Sequence, residues 1–253
     1  KTAYEISTRD WSSDVCSSDL NSIGKIQDPS EFITSKGILA RALPVSSNEL
    51  SCLPIELDGD VERISKLFNK GKGNKSPFLN AGMYFKGIAY TLHTEVKGNE
   101  SGKLTLGDVL EDEEVIDDSF FIPAKQLSEW KFLKGAKSIE RVHKGSGVKY
   151  NYSEGSMAFP DLLTNPSRTI LTGEGGTSPS RFKHIIKTVR GYRRLTPVEL
   201  ERLNGFPDNW TKYDSKGHEV SPTKRAFFMG NALVIGLITR VGEILAEEMQ
   251  KRA

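Results

Sequence analysis

The last part of the chain carries a helical repeat of apolar positions. Apolar residues recur at helical spacing between Leu233 and Met249 and form one stripe along a helix. The stripe consists of Leu233, Leu237, Ile238, Val241, Ile244, Leu245 and Met249. Lys251 and Arg252 follow it and complement the dipole at the helix C-terminus. The pattern predicts a long final helix that packs against a large surface and exposes apolar side chains when that surface is missing.

A second helix is predicted to begin after Thr196. Thr196 is a good N-cap residue, Pro197 suits the first helical position, and Glu199 stands where the acid of a capping box reaches back. Gly205 can end the helix in a left-handed conformation, and Pro207 prevents it from continuing.

Elsewhere the pattern predicts shorter elements. Residues 83–96 alternate between apolar and polar types, which predicts strands broken near Gly87. Residues 57–68 and 104–110 each predict a short helix. Glycines on both sides of Lys149–Tyr152 predict a loop there.

Composition narrows the class of protein. Apolar residues make up 37% of the 253 residues, and no uninterrupted run approaches the roughly 20 residues of a membrane helix. We therefore predict no membrane span. Cys52 and Cys16 make neither a disulfide framework nor a zinc cluster, which fits a reduced, cytoplasmic setting. The histidines have no metal-ligand spacing, so no metal site is predicted.

The net charge of +2 hides an uneven distribution. Residues 108–118 include acids and no bases, whereas residues 125–149 are rich in lysine. A further basic run contains no acid and comprises Arg181, Lys183, Lys187, Arg190, Arg193 and Arg194. Clustered bases indicate a polyanion partner such as nucleic acid, and the alternative is a solvated surface.

The first residues match a translated sequencing adapter. One end of a common library adapter encodes Asp10–Leu20, and the other end encodes Lys1–Ile6 in the same frame. Residues 7–9 would span the sample barcode. We therefore interpret residues 1–20 as an artefactual tail, with a disordered natural tail as the alternative, and expect further natural sequence before Asn21.

Two segments resemble motifs of a known family. Residues 193–208 read Arg-Arg-Leu-Thr-Pro-Val-Glu-Leu-Glu-Arg-Leu-Asn-Gly-Phe-Pro-Asp, and residues 230–232 read Gly-Asn-Ala. They resemble motifs IX and X of the DNA cytosine-5 methyltransferases. The resemblance implies that the first segment is architectural, so Glu199, Arg202 and Asp208 receive no catalytic role.

The second segment implies a cofactor contact. The resemblance places Gly230, Asn231 and Ala232 at the pocket for S-adenosylmethionine. A Gly-Asn pair before a helix is also a plain N-cap signal. Phe227–Met229, just before it, is interpreted as a buried strand or as an approach to the cofactor.

Residues 165–176 resemble the end of the family's target recognition domain. Thr169-Ile170 matches a Thr-aliphatic pair that lies close to the flipped cytosine. Glycines permit close backbone approach, and bases and hydroxyls contact phosphates or base edges. The predicted DNA-binding residues are Arg168, Thr169, Ile170, Gly175, Gly176, Ser178, Arg181 and Lys183. The alternative is an ordinary strand from Thr169 to Leu171 followed by a glycine-rich turn.

The catalytic motifs of the family are not seen. Cys52 stands in Ser-Cys-Leu rather than after a proline, so we interpret it as a packed or incidental thiol. The Glu-Asn-Val motif, the Gln-x-Arg-x-Arg motif and a glycine-rich turn after an apolar strand are missing as well. No catalytic residue is assigned, and this chain alone is expected to be inactive.

The resemblance implies a mixed α/β fold, a partial S-adenosylmethionine-dependent methyltransferase fold with an irregular β-rich recognition domain. We predict a recognition domain over residues 21–190 and the C-terminal part of the methyltransferase domain over residues 191–253. The implied partner is double-stranded DNA, and the catalytic half would stand on missing N-terminal sequence or, alternatively, on a partner chain. A non-catalytic DNA-binding module is the third hypothesis.

Overall fold

The computed structural model describes residues 28–48, 52–57, 78–97, 104–143, 145 and 147–252. The chain divides into two compact units, one formed by residues 1–99 and 237–253 and the other by residues 100–236. The adapter-like tail and nearly all of the predicted helix over residues 57–68 lie outside the described residues. The predicted domain boundary at residue 190 stays a prediction.

The first unit contains short helices and two antiparallel sheets. Its helices are α1 (Pro29–Glu31) and α2 (Ile38–Ala42), with a π-helical segment, Phe32–Lys36, between them. Its strands are β1 (Val45–Ser46), β2 (Leu53–Glu56), β3 (Ala81–Phe85), β4 (Ile88–Leu92) and β5 (Glu95–Val96). The sheets have the orders β1-β5 and β2-β4-β3.

The hairpin β3–β4 confirms the predicted break near Gly87. Lys86 and Gly87 have φ angles of 49° and 84°, so both central residues of the turn are left-handed, as a tight hairpin turn requires. Met83 and Leu92 of this hairpin are buried in the core of the unit. Cys52 is partly buried and packs against that core, so of the two interpretations of this thiol the structure supports the packed one.

The second unit begins with four 3-10 turns, Gly107–Val109, Glu113–Val115, Asp118–Phe120 and Ala124–Gln126. They are followed by α3 (Leu127–Lys134), the strands β6 (Lys137–Val142), β7 (Lys149–Glu154), β8 (Ile185–Lys187) and β9 (Tyr192–Arg194), and the helices α4 (Pro197–Leu203) and α5 (Pro222–Asn231). The last helix, α6, spans Ile235–Arg252, and from residue 237 onward it belongs to the first unit. Each pair of described strands is antiparallel. This mixture of helix and strand confirms the predicted α/β class.

The core of the second unit lies where the hairpin β8–β9 meets α4 and α5. It contains Leu106, Ile186, Leu195, Leu200, Ala226 and Met229. Helix α4 begins with the predicted capping box between Thr196 and Glu199, and Gly205 follows it with a φ of 79°. The predicted start and end of this helix are therefore confirmed.

Two local predictions are wrong. Lys149–Tyr152 lies in strand β7, which pairs with β6 from Lys137↔Glu154 to Val142↔Lys149. The alternation of tyrosines with polar residues in this segment is a strand pattern that the flanking glycines concealed. Phe227–Met229 lies in helix α5 rather than in a strand. Ser221 caps that helix and Pro222 starts it, so Gly230-Asn231 stands at its C-terminal end instead of at an N-cap.

The stretch at the end of the chain has a high mean hydropathy even though polar residues interrupt its apolar runs. An 18-residue window within Pro222–Gln250 reaches a mean hydropathy of 1.5 with 6% of it buried, so by length and composition this stretch could cross a membrane. Polar residues such as Asn231 and Arg240 interrupt the stretch, and the expectation that the chain has no membrane span stays a prediction. The stretch is divided, since α5 ends at Asn231 and α6 begins at Ile235. Leu233 and Met249 are 59% and 72% exposed, which confirms the exposed apolar surface expected of this region.

Candidate nucleic-acid interface

Helix α4 is held by a buried ion pair that the capping box extends. The carboxylate of Glu199 accepts hydrogen bonds from the Arg193 guanidinium at 2.8 and 2.7 Å. It also accepts from the backbone amides of Thr196 at 2.9 Å and Glu111 at 3.1 Å. Both side chains of the pair are almost completely buried. One carboxylate therefore joins strand β9, helix α4 and the acidic residues 108–118.

A second buried acid joins α4 to α5. Glu201 accepts from the Arg225 guanidinium at 2.9 Å and from the backbone amides of Asn209 and Thr211 at 2.7 and 3.0 Å. Asn204, at the end of α4, donates from its side chain to the Met229 carbonyl at 2.9 Å. The buried charges and amides of this segment are committed to holding helices together, which supports the architectural role that the motif implies.

Residues 169–173, which we call the arch, contain the predicted Thr169-Ile170 pair and are irregular rather than a strand. Thr169 is exposed, whereas Ile170 packs against the core of the unit. The strand that stood as the alternative is therefore not what these residues form. The Thr169 hydroxyl therefore faces solvent, while the packed side chain of Ile170 anchors the arch to the core.

Both ends of the arch are tied to the buried His184. On one side the Ser167 hydroxyl lies 3.2 Å from Nε2 of His184. On the other side a Glu174 carboxylate oxygen lies 3.1 Å from Nδ1 of the same ring and accepts from the His184 backbone amide at 2.6 Å. Because one completely buried ring contacts residues on both sides of the arch, it fixes the distance between the two ends of this segment.

The residue that precedes the arch is tied to a second buried cluster. The Arg168 guanidinium donates to the Asp161 carboxylate at 2.8 and 3.1 Å. The Lys134 ammonium lies 3.6 Å from the same carboxylate and donates to the Lys183 carbonyl at 2.6 Å. Burial raises the pKa of Asp161, but the bonds from Arg168 and the Ile185 amide and the charge of Lys134 outweigh it and hold that pKa below its ordinary value. Burial also lowers the pKa of Lys134, although Asp161 opposes that shift.

Two glycines let the segment after the arch lie directly on helix α5. A Cβ added at Gly175 would stand 2.8 Å from the Thr223 carbonyl oxygen, and one added at Gly230 would stand 2.6 Å from the Leu171 carbonyl oxygen. The second of these would also collide with the backbone nitrogen of Thr172. Both glycines are required for close packing between the arch segment and the helix that leads to Asn231.

The basic residues of the predicted DNA-binding set are used inside the unit. Lys183 is buried, and its ammonium donates to the carbonyls of Gly176 and Ser178 at 3.0 and 2.7 Å. The Arg181 guanidinium donates to the Leu133 carbonyl at 3.3 Å. Together with the Arg168 contacts, these bonds tie the three cations to neighbouring segments of the unit. Their predicted contacts with DNA stay predictions. Ser178 is exposed, as Thr169 is.

The residues of the predicted cofactor contact stand at the junction of α5 and α6. Asn231 is exposed, and its side-chain amide donates to the Phe227 carbonyl at 2.9 Å. Gly230 faces the arch segment, and Ala232 is the C-cap of α5 and packs against the core. Of the three predicted residues, Asn231 alone carries a polar side chain.

Several residues of this region were missed by reasoning from the sequence. The buried set comprises Lys134, Asp161, Glu174 and His184. They are far apart in sequence and carry no local spacing that could mark them. The hairpin β6–β7 was also missed, although its alternating pattern was visible.

Comparison with known proteins identifies the class to which this architecture belongs. Residues 83–247 match the profile of the C-5 cytosine-specific DNA methylase family. The chain is 38% identical over 215 residues to the type II methyltransferase M.Sau3AI of Staphylococcus aureus, covering 84% of this chain and 47% of that protein. It is 25% identical over 146 residues to the type II methyltransferase M.Bsp6I of Bacillus sp. (strain RFL6), covering 58% of this chain and 42% of that protein. No solved structure matches significantly.

The chain therefore belongs to the C-5 cytosine-specific DNA methylase family. The resemblance noted in the sequence is confirmed. The chain spans less than half the length of these curated relatives.

Proposed function

We propose that this chain supplies the DNA-recognition and C-terminal part of a DNA cytosine-5 methyltransferase of the restriction-modification type. The complete enzyme would act in the cytoplasm on duplex DNA and transfer a methyl group to C5 of a flipped cytosine. The observation that carries the proposal is the arch: an exposed Thr169 beside a packed Ile170, clamped at both ends by His184.

A rigid arch suits a protein that extrudes a base. Flipping a nucleotide out of a duplex costs a few kcal/mol, and protein groups that brace the opened strand offset part of that cost only if they are already ordered. Thr169 can donate and accept a hydrogen bond at the opened site, and Ser178 offers a second exposed hydroxyl. Gly175 follows the arch and keeps its backbone close to α5, and Gly176 makes the next turn with a φ of 80°. Arg168, Arg181 and Lys183 hold this segment in place.

The residues proposed for cofactor contact suit the solvent-exposed edge of an S-adenosylmethionine pocket rather than its buried part. The carboxamide of Asn231 is exposed, and the backbone at Ala232 leaves helix α5 beside it. When bound, S-adenosylmethionine supplies the methyl group. Asn231 would contact it directly, while Gly230 holds the junction against the arch segment.

The catalytic thiolate is proposed to come from outside these residues. Longer sequence in the same protein is our first hypothesis, and a partner chain is the second. On this proposal the fold is part of an S-adenosylmethionine-dependent methyltransferase fold with a β-rich recognition domain over residues 21–190 and methyltransferase residues at 191–253. The exposed apolar side of α6 would then pack against the rest of that domain.

A binding experiment with one matched control tests the role of the arch. Thr169→Ala should weaken binding of the chain to a duplex selected from a random library, because the hydroxyl at the opened site is lost. Thr172→Ala removes a hydroxyl from another exposed position of the same arch and should leave binding unchanged. Equal affinities for the two variants would contradict the proposal.

A methyl-transfer assay tests whether the catalytic nucleophile lies outside this chain. The chain alone, given duplex DNA and labelled S-adenosylmethionine, should transfer no label. Turnover would reject the proposal that the nucleophile lies elsewhere. Labelled DNA produced only after addition of a second protein would identify the split arrangement.

A further inference from the structure

The hairpin β6–β7 projects as a two-stranded ribbon with both faces in solvent. No third described strand pairs with it. Every residue of β6 after Lys137 is exposed, and so are most residues of β7. An isolated two-stranded hairpin is only marginally stable in water, so this one must be stabilised by contacts with the rest of the unit.

The anchor lies at the base of the ribbon. The Lys137 ammonium lies 3.0 Å and the Arg181 guanidinium 3.2 Å from the Glu154 carboxylate. Lys137 also donates to the Leu133 carbonyl at 2.9 Å, at the end of helix α3. These partners are largely buried, so the base of the ribbon is fixed to the unit.

The ribbon itself is stiffened by cross-strand contacts. The Arg141 guanidinium lies over the Tyr152 ring, 3.8 Å from its centroid. On the other face the Ser153 hydroxyl donates to the Ser138 hydroxyl at 3.2 Å, and Lys149 pairs with Glu140 at 3.0 Å. Side-chain contacts therefore join the two strands on both faces of the ribbon.

One face of the ribbon is mainly polar, with Val142 at its far end, and carries side-chain types that can bond base edges. Strand alternation places Glu140 and Asn151 directly opposite one another on this face. Asparagine pairs with adenine through two hydrogen bonds in the major groove, and glutamate accepts from the amino group of cytosine. Ser138 and Ser153 extend the same face toward the base of the ribbon.

The size and charge of the ribbon fit the major groove of DNA. Strands of this length span about 20 Å, and a two-stranded ribbon fits a groove about 12 Å wide. Between Arg141 and Lys149 the sequence contains bases and no acid, so the end that would enter first is positive. The far end thus complements the phosphates on the two walls of the groove.

We propose that the hairpin Lys137–Glu154 enters the major groove of duplex DNA. Asn151 and Glu140, on one face, select bases. Lys149, at the far end of the same face, and Arg141, on the opposite face, contact phosphates. This assignment rests on the proposed function and adds to it the element that determines the target sequence. Arg181 then acts by fixing the base of the hairpin rather than by touching DNA.

Selection of duplexes from a random library by the full chain tests the proposal. Asn151→Ala should reduce the preference at one or two positions of the selected motif by about tenfold to a hundredfold. Its affinity for an unrelated duplex should not change. Lys149→Gln should lower the slope of log affinity against log salt by about 0.9, whereas Lys125→Gln, an exposed charge outside the hairpin, should leave the slope as it is. Unchanged thermal unfolding of each variant would show that the fold is intact.

The outcomes separate this assignment from the proposed function. If the chain selects a motif and the hairpin variants retain both motif and salt slope, the hairpin assignment is wrong and the proposed function stands. If the chain binds duplexes without any sequence preference, base reading by the hairpin is also rejected. If the chain binds no duplex at low salt, both are rejected.

Discussion

Gly230 is the position where a single methyl group should test the packing of the arch against helix α5. In Gly230→Ala the new Cβ would stand 2.6 Å from the Leu171 carbonyl oxygen and closer still to the adjacent peptide atoms. Those neighbours are backbone, so they cannot rotate away as the end of a flexible side chain would. Either α5 or the arch must move by several tenths of an ångström.

The expected cost can be set against the gain that alanine usually brings to a helix. Overpacking costs about 1–3 kcal/mol. Alanine is favoured over glycine by up to about 1 kcal/mol within a helix, and by less at a position so near the end. We therefore expect Gly230→Ala to lose about 1–2 kcal/mol of unfolding free energy. For a chain of this size that corresponds to a decrease in Tm of about 2–8 °C.

Gly242→Ala is the matched control. Gly242 lies inside helix α6, and an added Cβ there meets no heavy atom within 4 Å. This variant should gain up to about 1 kcal/mol and raise the Tm, since only the helix propensity changes. Thermal unfolding followed by circular dichroism, together with duplex binding, measures both effects. A Gly230→Ala protein as stable as the parent, or one that loses stability without losing DNA affinity, would refute the link between this contact and the position of the arch.

Three further predictions concern buried charges. Glu199→Gln leaves Arg193 buried without a charged partner and should cost about 3–5 kcal/mol in urea unfolding; a loss below about 1 kcal/mol would show that the pair is dispensable. Because the pKa of Asp161 lies below its ordinary value of 3.8, its contribution to stability is complete above that pH and is lost as the pH falls through the folded-state pKa. Asp161→Asn should therefore be less stable than the parent near neutral pH, and its unfolding free energy should change less between about pH 5 and 3. The same loss of stability toward acid pH in the variant and the parent would contradict this role of Asp161. Lys183→Met should lower stability and leave the slope of log affinity for DNA against log salt unchanged. A slope lowered by about 0.9 would show instead that Lys183 contacts a phosphate directly.

The parts of the fold that could be predicted from the sequence are those whose cause is local. The capping box at Thr196 and the turn at Gly87 depend on residues within a few positions, and both are where the sequence placed them. The clamp at His184 depends on partners that the chain brings together from several segments, and no spacing records it. The hairpin β6–β7 was missed for a different reason. Glycines flank it, and their turn signal was given more weight than the alternation of Tyr150 and Tyr152.

The charge pattern illustrates why composition alone misleads about DNA contacts. The basic run between Arg181 and Arg194 has the appearance of an electrostatic footprint, yet Arg193 is buried against Glu199 and Lys183 is buried against carbonyl oxygens. A cation in such a place cannot turn toward a phosphate without leaving buried acceptors unpaired, which costs more than an exposed phosphate contact returns. Salt-dependent affinity should therefore come from exposed charges rather than from Lys183 or Arg193. The exposed Lys149 on the hairpin is such a charge, and its contribution should exceed that of either buried cation.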